Sequence, residues 1–456
     1  MGFTRFLTKW MIMVLALSSM SFLLYRIRMP VVFFSLAVSP SSYRTTATNL
    51  HHLLFSLVSS NSTLAYRAPY IRLWYSLNST RAFTFVDTIP PQKDSQAFDD
   101  LPPMVVCHDT SMFPFHPKIG LRSAVRAARI VKEAVALNQT GVRWFIFGDD
   151  DTVFFVDNLV NTLAKYDHRK WYYIGSNSDN YDQNEKESFE MAFGGAGIAI
   201  SYPLAKVLAE VLDSCLLRYG HMYGGDERIF SCLVELGVPL THEPGFHQVD
   251  MRGNLFGLLS SHPLSPLVSL HHLDYADPIF PNHSKIGSMK HLFEAASADP
   301  ARILQQTVCY NHAPSFTVSV SWGFSVQVFQ GNKQLRDILR AQKSFQPWRR
   351  RAKFSRYMFD VREHAANSCD SSAFFLDCVY SDSYGIHSNY SRINAISCDK
   401  NEILRSLSRV SVVSEKTKHD AYETLRRQCC DIVSFDHQYL SVSIRKCGDH
   451  ELITMP

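Results

Sequence analysis

Short runs of large apolar residues alternate with amphipathic segments from residue 53 onward, and no other feature of the chain constrains its fold as strongly. The apolar runs are typical of buried strands: LLFSLV (53–58), AFTFVD (82–87), WFIFG (144–148) and WYYIGS (171–176). Apolar residues recur at helical spacing over about 121–137, 157–166, 203–215 and 226–236. This alternation predicts an α/β fold with a largely parallel sheet covered by helices on both faces. Ligands bind such sheets beyond the carboxyl ends of the strands.

The N-terminal 30 residues contain an uncharged apolar run, WMIMVLALSSMSFLLY (10–25), with basic residues on both sides. As a helix this run would span about 24 Å, and basic side chains that snorkel can cover the difference from a ~30 Å hydrocarbon core. We expect residues 1–29 to be a short cytosolic tail and a retained signal anchor, because no small-x-small cleavage site directly follows. Cleavage near residues 37–39 is the alternative. The Ser/Thr/Pro-rich residues 30–50 predict a stem.

The cysteines and glycosylation sequons indicate the compartment of the folded body. All ten Cys lie beyond the apolar run, as do N-x-S/T sequons at Asn61, Asn78, Asn138, Asn282 and Asn389. Disulfides and N-glycans both belong to the secretory pathway, so together these features favour a lumenal body. Adjacent Cys are poorly placed to bond to each other, so Cys429 and Cys430 are expected to have partners elsewhere.

Charge and composition exclude some functions and divide the chain. A net charge of +4 over 456 residues is too weak for a nucleic-acid footprint. Residues 347–456 hold six of the ten Cys and no long amphipathic helix, which predicts a disulfide-supported, β-rich extension. Its basic run WRRRAKFSR (348–356) is expected on the surface, with a polyanion contact as the alternative. Arg122, Arg126 and Arg129 share a helical face that we expect to be solvated.

Three consecutive acidic residues, Asp149, Asp150 and Asp151, follow the strand WFIFG. In an extended segment their side chains alternate, so Asp149 and Asp151 can face one side and Asp150 the other. Like charges this close raise each other's pKa unless a cation neutralises them. A hard divalent ion does so and can hold a diphosphate as well. The triplet thus predicts an ion clamp for a charged ligand, with a solvated loop or helix cap as the alternative.

Four blocks, in this order, resemble the Fringe-like β-1,3-glycosyltransferases. They are WFIFGDDDTVFFVDNLV (144–160), MAFGGAGIAISYPLAK (191–206), GGDERIFSCLVELGVPL (224–240) and EPGFHQVD (243–250). The chain is also similar to the plant Fringe-related proteins of unknown function through VSLHHLD (268–274), SVSWGF (319–324) and RRQCC (426–430). The resemblance implies a GT-A type, Rossmann-like nucleotide-sugar-binding domain at 51–346, a UDP-sugar donor, Mn2+ and inversion at the sugar carbon.

The resemblance also implies a metal site and donor contacts. Asp151 corresponds to the direct metal ligand and His247 to the metal-binding His, with His271 and His272 as alternatives. Asp149 and Asp150 would face the ribose and the sugar. Arg72 would reach the donor phosphates and Asp87 the base. Gly194, Gly195 and Gly197 would let the backbone approach the sugar, although a tight turn explains them equally well.

Asp226 corresponds to the catalytic base of the family. An inverting transfer needs a carboxylate that takes the proton of the acceptor hydroxyl. Asp226 is also placed as a helix N-cap, a role compatible with the first. Glu227 is the alternative base, because many relatives carry two acids here.

These inferences predict a Golgi, single-pass type II, metal-dependent enzyme that transfers a sugar from a UDP-sugar to a glycan or glycoprotein. The alternatives are an inactive lumenal protein that binds glycans or nucleotides and, less in keeping with the few clustered ligands, a metal-dependent phosphohydrolase.

Overall fold

The computed structural model describes residues 47–89, 98–114, 122–363, 370–393, 405–417 and 425–455, together with Trp10 and Met13. The predicted anchor and most of the predicted stem lie outside these residues and stay predictions. Among the described residues, no helix has both the length and the apolar character needed to cross a membrane. Thr48–Pro456 forms one unit, described below.

The strands of the described residues are, in chain order, β1 (Leu53–Val58), β2 (Ala82–Val86), β3 (Met104–Val106), β4 (Trp144–Asp149), β5 (Val153–Phe154), β6 (Tyr173–Gly175), β7 (Ile198–Ser201), β8 (Leu240–His242), β9 (Phe246–His247), β10 (Met251–Gly253), β11 (Ser269–Leu270), β12 (Gln306–Asn311), β13 (Phe316–Ser321), β14 (Ser325–Gln330), β15 (Ala341–Gln342), β16 (Phe345–Pro347), β17 (Val361–Arg362), β18 (Ser371–Ser381), β19 (Ile386–Ser391), β20 (Arg409–Ser414), β21 (Cys429–Phe435) and β22 (Tyr439–Arg445). The α-helices are α1 (Asn61–Ile71), α2 (Arg122–Ala136), α3 (Val156–Ala164), α4 (Tyr181–Lys186), α5 (Tyr202–Arg218), α6 (Gly225–Glu235), α7 (Phe256–Ser260), α8 (Lys285–Ala298) and α9 (Leu335–Leu339). Short 3-10 turns occupy Leu50–His52, Gly194–Ala196, Leu273–Tyr275 and Pro300–Arg302.

The first large sheet has the strand order β3-β2-β1-β4-β7-β6-β8. Its neighbouring strands run parallel except at β7, which is antiparallel to β4 and β6. The predicted α/β fold with a largely parallel sheet is therefore confirmed. At the centre, β1 and β4 pair from Leu53 beside Trp144 to Val58 beside Asp149. Both strands consequently end at the edge where the acidic triplet begins.

Helices cover both faces of this sheet because successive residues of a strand point to opposite sides. Along β4, Phe145 and Phe147 lie in a core shared with α2, α5 and α6, whereas Trp144 and Ile146 lie in a core shared with α1 and α3. A disulfide between Cys215 and Cys232 joins α5 to α6.

The prediction of a solvated face on α2 is wrong for two of its arginines. Arg129, whose side chain is only 13% exposed, pairs with Asp213 and Glu133. Arg126 donates to the carbonyl oxygen of Ser59 at 2.6 Å. Their helical spacing is compatible with either environment, since two of the acceptors, Asp213 and Ser59, lie on segments distant in sequence.

The second large sheet has the order β12-β13-β14-β18-β19-β20-β22-β21 and is antiparallel except between β20 and β22. Strand β14 pairs with β18 across the predicted boundary between residues 346 and 347. The extension predicted at 347–456 is therefore not a separate unit but the larger part of a sheet that starts at Gln306. It is β-rich and disulfide-bonded as predicted: Cys430 bonds to Cys309, and Cys429 to Cys447.

Candidate active site

The site is built on the carboxyl end of β4. The chain turns sharply after Asp149, where the hydroxyl oxygen of Thr152 accepts the backbone N–H of Asp149 (2.8 Å) and donates to the carbonyl oxygen of Gly195 (2.8 Å). Trp74 of the segment after α1 donates its indole N–H to the carbonyl oxygen of Thr152 at 3.1 Å. The turn is thereby fixed from two sides, and it returns the chain as β5.

A small three-stranded sheet brings a histidine to the acidic turn. Strand β11 pairs antiparallel with β5, Leu270 lying beside Val153, and parallel with β9. The next residue after β11, His271, is 3% exposed, with its Nε2 3.1 Å from Asp151 Oδ1 and 3.5 Å from Asp149 Oδ2. Residues 120 positions apart thus meet through backbone pairing.

Asp149, Asp151 and His271 form a group that could hold a metal ion, with one ligand atom from each lying within 4.8 Å of the others. Two carboxylates and an imidazole suit Mn2+. With no cation present, a proton must lie between Nε2 of His271 and the carboxylates that it contacts, and a divalent ion would take the place of that proton. The other ring nitrogen, Nδ1, is buried without a hydrogen-bond partner among the described residues. The residues therefore fit a metal site.

The charges around the group are arranged unequally. Burial on its own would raise the pKa of Asp151, but the His271 ring and the Arg67 guanidinium hold it well below its usual range. Desolvation raises the pKa of Asp149 even though 40% of its side-chain surface remains exposed, and the neighbouring carboxylates of Asp151 and Asp150 raise it further against the opposing effect of His271. Of the cationic groups in the described ranges, the carboxylates of this turn face only the Arg67 guanidinium and the His271 ring, and a bound cation would offset the negative charge that remains.

Asp150 faces away from this group, as predicted, although Asp150 and Asp151 lie in a turn rather than in an extended segment. Its carboxylate accepts hydrogen bonds from the hydroxyls of Ser59 and Thr63, both at 2.7 Å, and from Arg67 Nη1 at 2.8 Å. Asp150 thus ties the acidic turn to the end of β1 and to α1. Its predicted contact with the donor stays a prediction.

Arg67 on α1 was missed from the sequence, although it lies at the centre of the acidic side chains. Its guanidinium is 2.8 Å from Asp150, 3.1 Å from Asp151 and 3.4 Å from Asp274, and its side chain is 23% exposed. Arg72, one turn later, pairs instead with Asp100 at 2.6 Å. Asp87, at the end of β2, is exposed and accepts the backbone N–H of Asn61. The structure does not bring Arg72 or Asp87 into contact with the metal group.

Two glycines connect the metal group to Asp226. The site of a Cβ on Gly195 would lie 2.1 Å from Cε1 of His271, so the ring rests directly on this backbone. The N–H of Gly194 donates to Asp226 Oδ2 at 3.0 Å. Gly197 has φ +98° and faces the Phe154 ring, so its role is in the backbone turn and in packing. A 3-10 turn therefore separates His271 on one side from Asp226 on the other.

Asp226 and Glu227 have different partners in the first turn of α6. Glu227 folds back onto the backbone N–H groups of Tyr223 (2.8 Å) and Gly224 (3.4 Å), which is the half of a capping box that a glycine N-cap allows. The N-cap is Gly224 rather than Asp226. Asp226 instead faces Gly194, and burial raises its pKa against the opposing backbone N–H groups of Gly194 and Glu227. Of the two acids, Asp226 is the one on the side of the metal group.

His247 belongs to a different cluster. Its Nδ1 lies 2.9 Å from Asp179 Oδ1, and its Nε2 lies 2.9 Å from Nε2 of His262. The cluster borders a cavity of about 340 Å³. The structure places His271, an alternative named from the sequence, beside Asp149 and Asp151, and it does not place His247 there. His272 turns aside in the left-handed region, with φ +57°, and binds Asp250 at 2.8 Å.

The family comparison covers the part of the site that follows the acidic triplet in the chain. Residues 183–430 match the family described as "Protein of unknown function, DUF604". The matched range contains Gly194, Asp226 and His271 and begins after the acidic triplet. No curated protein matches the chain.

Among solved structures, the mannosyltransferase PcManGT from Pyrobaculum calidifontis, in complex with GDP-Man and Mn2+, aligns at 12% identity and a TM-score of 0.24. The alignment covers 42% of this chain and 57% of that structure, little more than half of its length. A TM-score this low supports no argument about fold or activity. The match to residues 183–430 covers more than half of the chain, and the chain therefore belongs to the DUF604 family of proteins of unknown function.

Proposed function

We propose that this protein is a metal-dependent glycosyltransferase that moves a sugar from a UDP-sugar to a hydroxyl of a glycan or glycoprotein, with inversion and a β-1,3 linkage. The proposal rests on one observation: Asp149, Asp151 and His271 meet at the carboxyl end of a central parallel strand, with Asp226 on the far side of a glycine turn. This is the edge at which such sheets bind ligands. The ordered sequence blocks that resemble the Fringe-like enzymes supply the donor class and the linkage.

Each residue of the site has a role in this proposal. Asp149, Asp151 and His271 would hold Mn2+, which when bound stabilises the negative charge of a leaving diphosphate. Arg67 balances the remaining charge of the acids. Gly194 and Gly195 carry no side chain, so a sugar can approach the backbone between the metal group and Asp226.

Asp226 would act as the base. Both of its oxygens are oriented by backbone N–H groups, Oδ2 by Gly194 and Oδ1 by Glu227 at 2.9 Å. A carboxylate held in this way can accept the proton of the acceptor hydroxyl as the hydroxyl oxygen attacks the anomeric carbon. Its raised pKa suits that task, because proton acceptance is most effective when the pKa of the base lies near the working pH.

The proposal includes a Golgi location with a single N-terminal anchor and a lumenal body. It is supported by the apolar run at 10–25, the sequons and the disulfides that involve Cys215, Cys309 and Cys429.

The test combines binding and turnover in the full-length chain. UDP affinity is measured by calorimetry with and without Mn2+, and a panel of UDP-sugars is screened for transfer or hydrolysis. We expect Mn2+-dependent UDP binding that Asp151→Ala abolishes. Asp226→Asn should keep that binding while turnover falls by about 10²–10⁴-fold. Asp157→Asn is the matched control, because Asp157 also lies in the first turn of a helix, α3, but is not part of the site.

Two outcomes would contradict the proposal. Absence of Mn2+-dependent nucleotide binding would contradict the proposed metal site and therefore the proposed enzyme activity. Binding without turnover of any donor by the wild-type chain would favour the inactive binding protein instead.

A further inference from the structure

The basic run at residues 348–356 forms a loop beside the candidate active site, and we propose that this loop binds the negative charges of an anionic acceptor saccharide. The inference rests on the proposed glycosyltransferase function and deepens it, because it names the substrate class on the acceptor side. Below, "basic loop" means residues 348–356.

Both ends of the basic loop are fixed. At its start, the carbonyl oxygen of Trp348 accepts a 2.6 Å hydrogen bond from Arg252 of β10. At its end, Arg356 pairs with Asp182 at 2.9 Å, and its carbonyl oxygen accepts the backbone N–H of Tyr181 at 3.0 Å. Ser355 donates to Asp182 at 2.7 Å. Because the segment is held at both ends, its backbone has less conformational freedom to lose on binding than that of a free loop.

Four cations between those ends have no acidic partner among the residues described. Arg349, Arg350, Arg351 and Lys353 are all exposed, whereas the nearby acids Asp182 and Glu185 are engaged by Arg356. Phe354, 73% exposed, adds an aromatic face to the cations. An ordinary solvated helix or loop face mixes its charges, and so much charge of one sign on a fixed segment produces a local field that attracts anions.

The basic loop is linked to the metal group by two ring contacts. The Trp348 ring stacks on His272 with centroids 4.3 Å apart, and the His272 ring lies 3.9 Å from that of His271. His271 in turn contacts Asp151. The basic loop therefore begins beside the candidate active site but outside the metal group. The unreactive part of an acceptor would lie there.

The charge arrangement favours the acceptor over the donor as the partner. A diphosphate at the metal group would already have a divalent ion and the Arg67 guanidinium close to it. The four cations of the basic loop lie farther from the metal group, beyond His272 and Trp348, and are not required to balance the charge of the donor phosphates. Guanidinium groups bind carboxylate and sulfate oxygens in a bidentate manner. An acceptor rich in uronic acids or in sulfate esters is the ligand class that fits.

The experiment measures binding of three labelled oligosaccharides to the full-length chain by fluorescence anisotropy, in the presence of Mn2+ and UDP. Oligogalacturonate carries carboxylates, dextran sulfate carries sulfate esters, and unmodified dextran is neutral. We expect at least one anionic probe to bind tighter than dextran, and its affinity to fall between about 50 mM and about 300 mM NaCl because salt screens exposed charges. The anionic probe that binds more tightly shows whether the loop prefers carboxylates or sulfate esters.

Two triple variants separate the loop from overall charge. The loop variant combines Arg349→Gln, Arg350→Gln and Arg351→Gln. It should lower the affinity for the anionic probe about tenfold, since each exposed charge pair changes an affinity by roughly two- to threefold. The control, Lys290→Gln, Arg336→Gln and Arg409→Gln, removes three exposed cations elsewhere and should change the affinity less than twofold.

Three results would overturn the inference: equal affinity for all three probes, equal losses in the two variants, or a loss of UDP affinity in the loop variant as large as its loss of probe affinity. The last would assign the cations to the donor phosphates. Failure of the wild-type chain to bind UDP with Mn2+ would be a failure of the proposed function, which the same experiment detects separately.

Discussion

Adding a single methyl group at Gly195 should disable the metal group without replacing any of its ligands. A Cβ at this position would lie 2.1 Å from Cε1, 2.3 Å from Nδ1 and 2.5 Å from Nε2 of His271. Carbon atoms in contact are normally about 3.5–4.0 Å apart, so the ring must move by about 1.4 Å or more. The backbone cannot yield instead, because Thr152 holds the carbonyl oxygen of Gly195 and Asp226 holds the N–H of Gly194.

The expected loss follows from that displacement. Metal–ligand distances tolerate only about 0.2 Å, so the ring would no longer reach an ion shared with Asp149 and Asp151. Even changes to residues that merely orient a ligand lower metal affinity about 10–100-fold, and we expect Gly195→Ala to cost at least that much, or about 1.4–2.7 kcal/mol. Mn2+ affinity is measured from the free-ion signal in electron paramagnetic resonance, and UDP affinity by calorimetry.

Controls separate this effect from damage to the fold. Gly141→Ala introduces the same methyl group where nothing lies within 4 Å, although its φ of +72° makes the change cost about 1–2 kcal/mol of stability. It should leave Mn2+ affinity unchanged. If His271 is the residue displaced, Gly195→Ala should add nothing in a His271→Ala background. Wild-type Mn2+ affinity in a folded Gly195→Ala variant would refute the assignment of His271 as a ligand.

Three further predictions concern stability. Glu227→Ala removes the side chain that caps α6 and should lower the free energy of unfolding by about 0.5–2 kcal/mol in urea titrations, while Mn2+-dependent UDP binding persists. Replacing both Cys215 and Cys232 by Ala should cost about 3 kcal/mol, because the bond closes a loop with a sequence separation of 17; an unchanged urea midpoint would contradict this. Asp150→Ala removes the carboxylate that accepts from the hydroxyls of Ser59 and Thr63, and it should lower the free energy of unfolding by about 1–3 kcal/mol, seen as a lower melting temperature. Asp150→Asn keeps an oxygen acceptor and should lower the free energy of unfolding by less.

Local patterns predicted the elements well because hydrophobic periodicity is a local signal. The helix predicted at 121–137 is observed as Arg122–Ala136, and the one predicted from residue 226 as Gly225–Glu235. Helix ends are harder to predict: an Asp at the start of an apolar helical run is typical of an N-cap, but the N-cap of α3 is Phe155 and Asp157 lies in its first turn. The sequence places Asp226 as the N-cap of α6, but the N-cap is Gly224 and the Glu227 side chain bonds back to its N–H, so Glu227 is the acid with a structural role.

Contacts between distant segments could not be predicted in the same way. The choice of His271 over His247 depends on β11 pairing with both β5 and β9, a register that no local pattern encodes. The partners of Arg67 depend on how α1 packs above the acidic turn. The boundary at residue 347 failed for the same reason, since the change in Cys content there says nothing about β14 pairing with β18.

The disulfide between Cys309 and Cys430 has a consequence for handling the protein. It covalently links β12 to β21, and in the sequence these two strands lie on opposite sides of the basic loop and of the predicted boundary. A protease that nicks the exposed Arg349–Arg351 segment would therefore not release a fragment, and the nicked material would migrate as one species until a reductant is added. Gels run without reductant would conceal such damage.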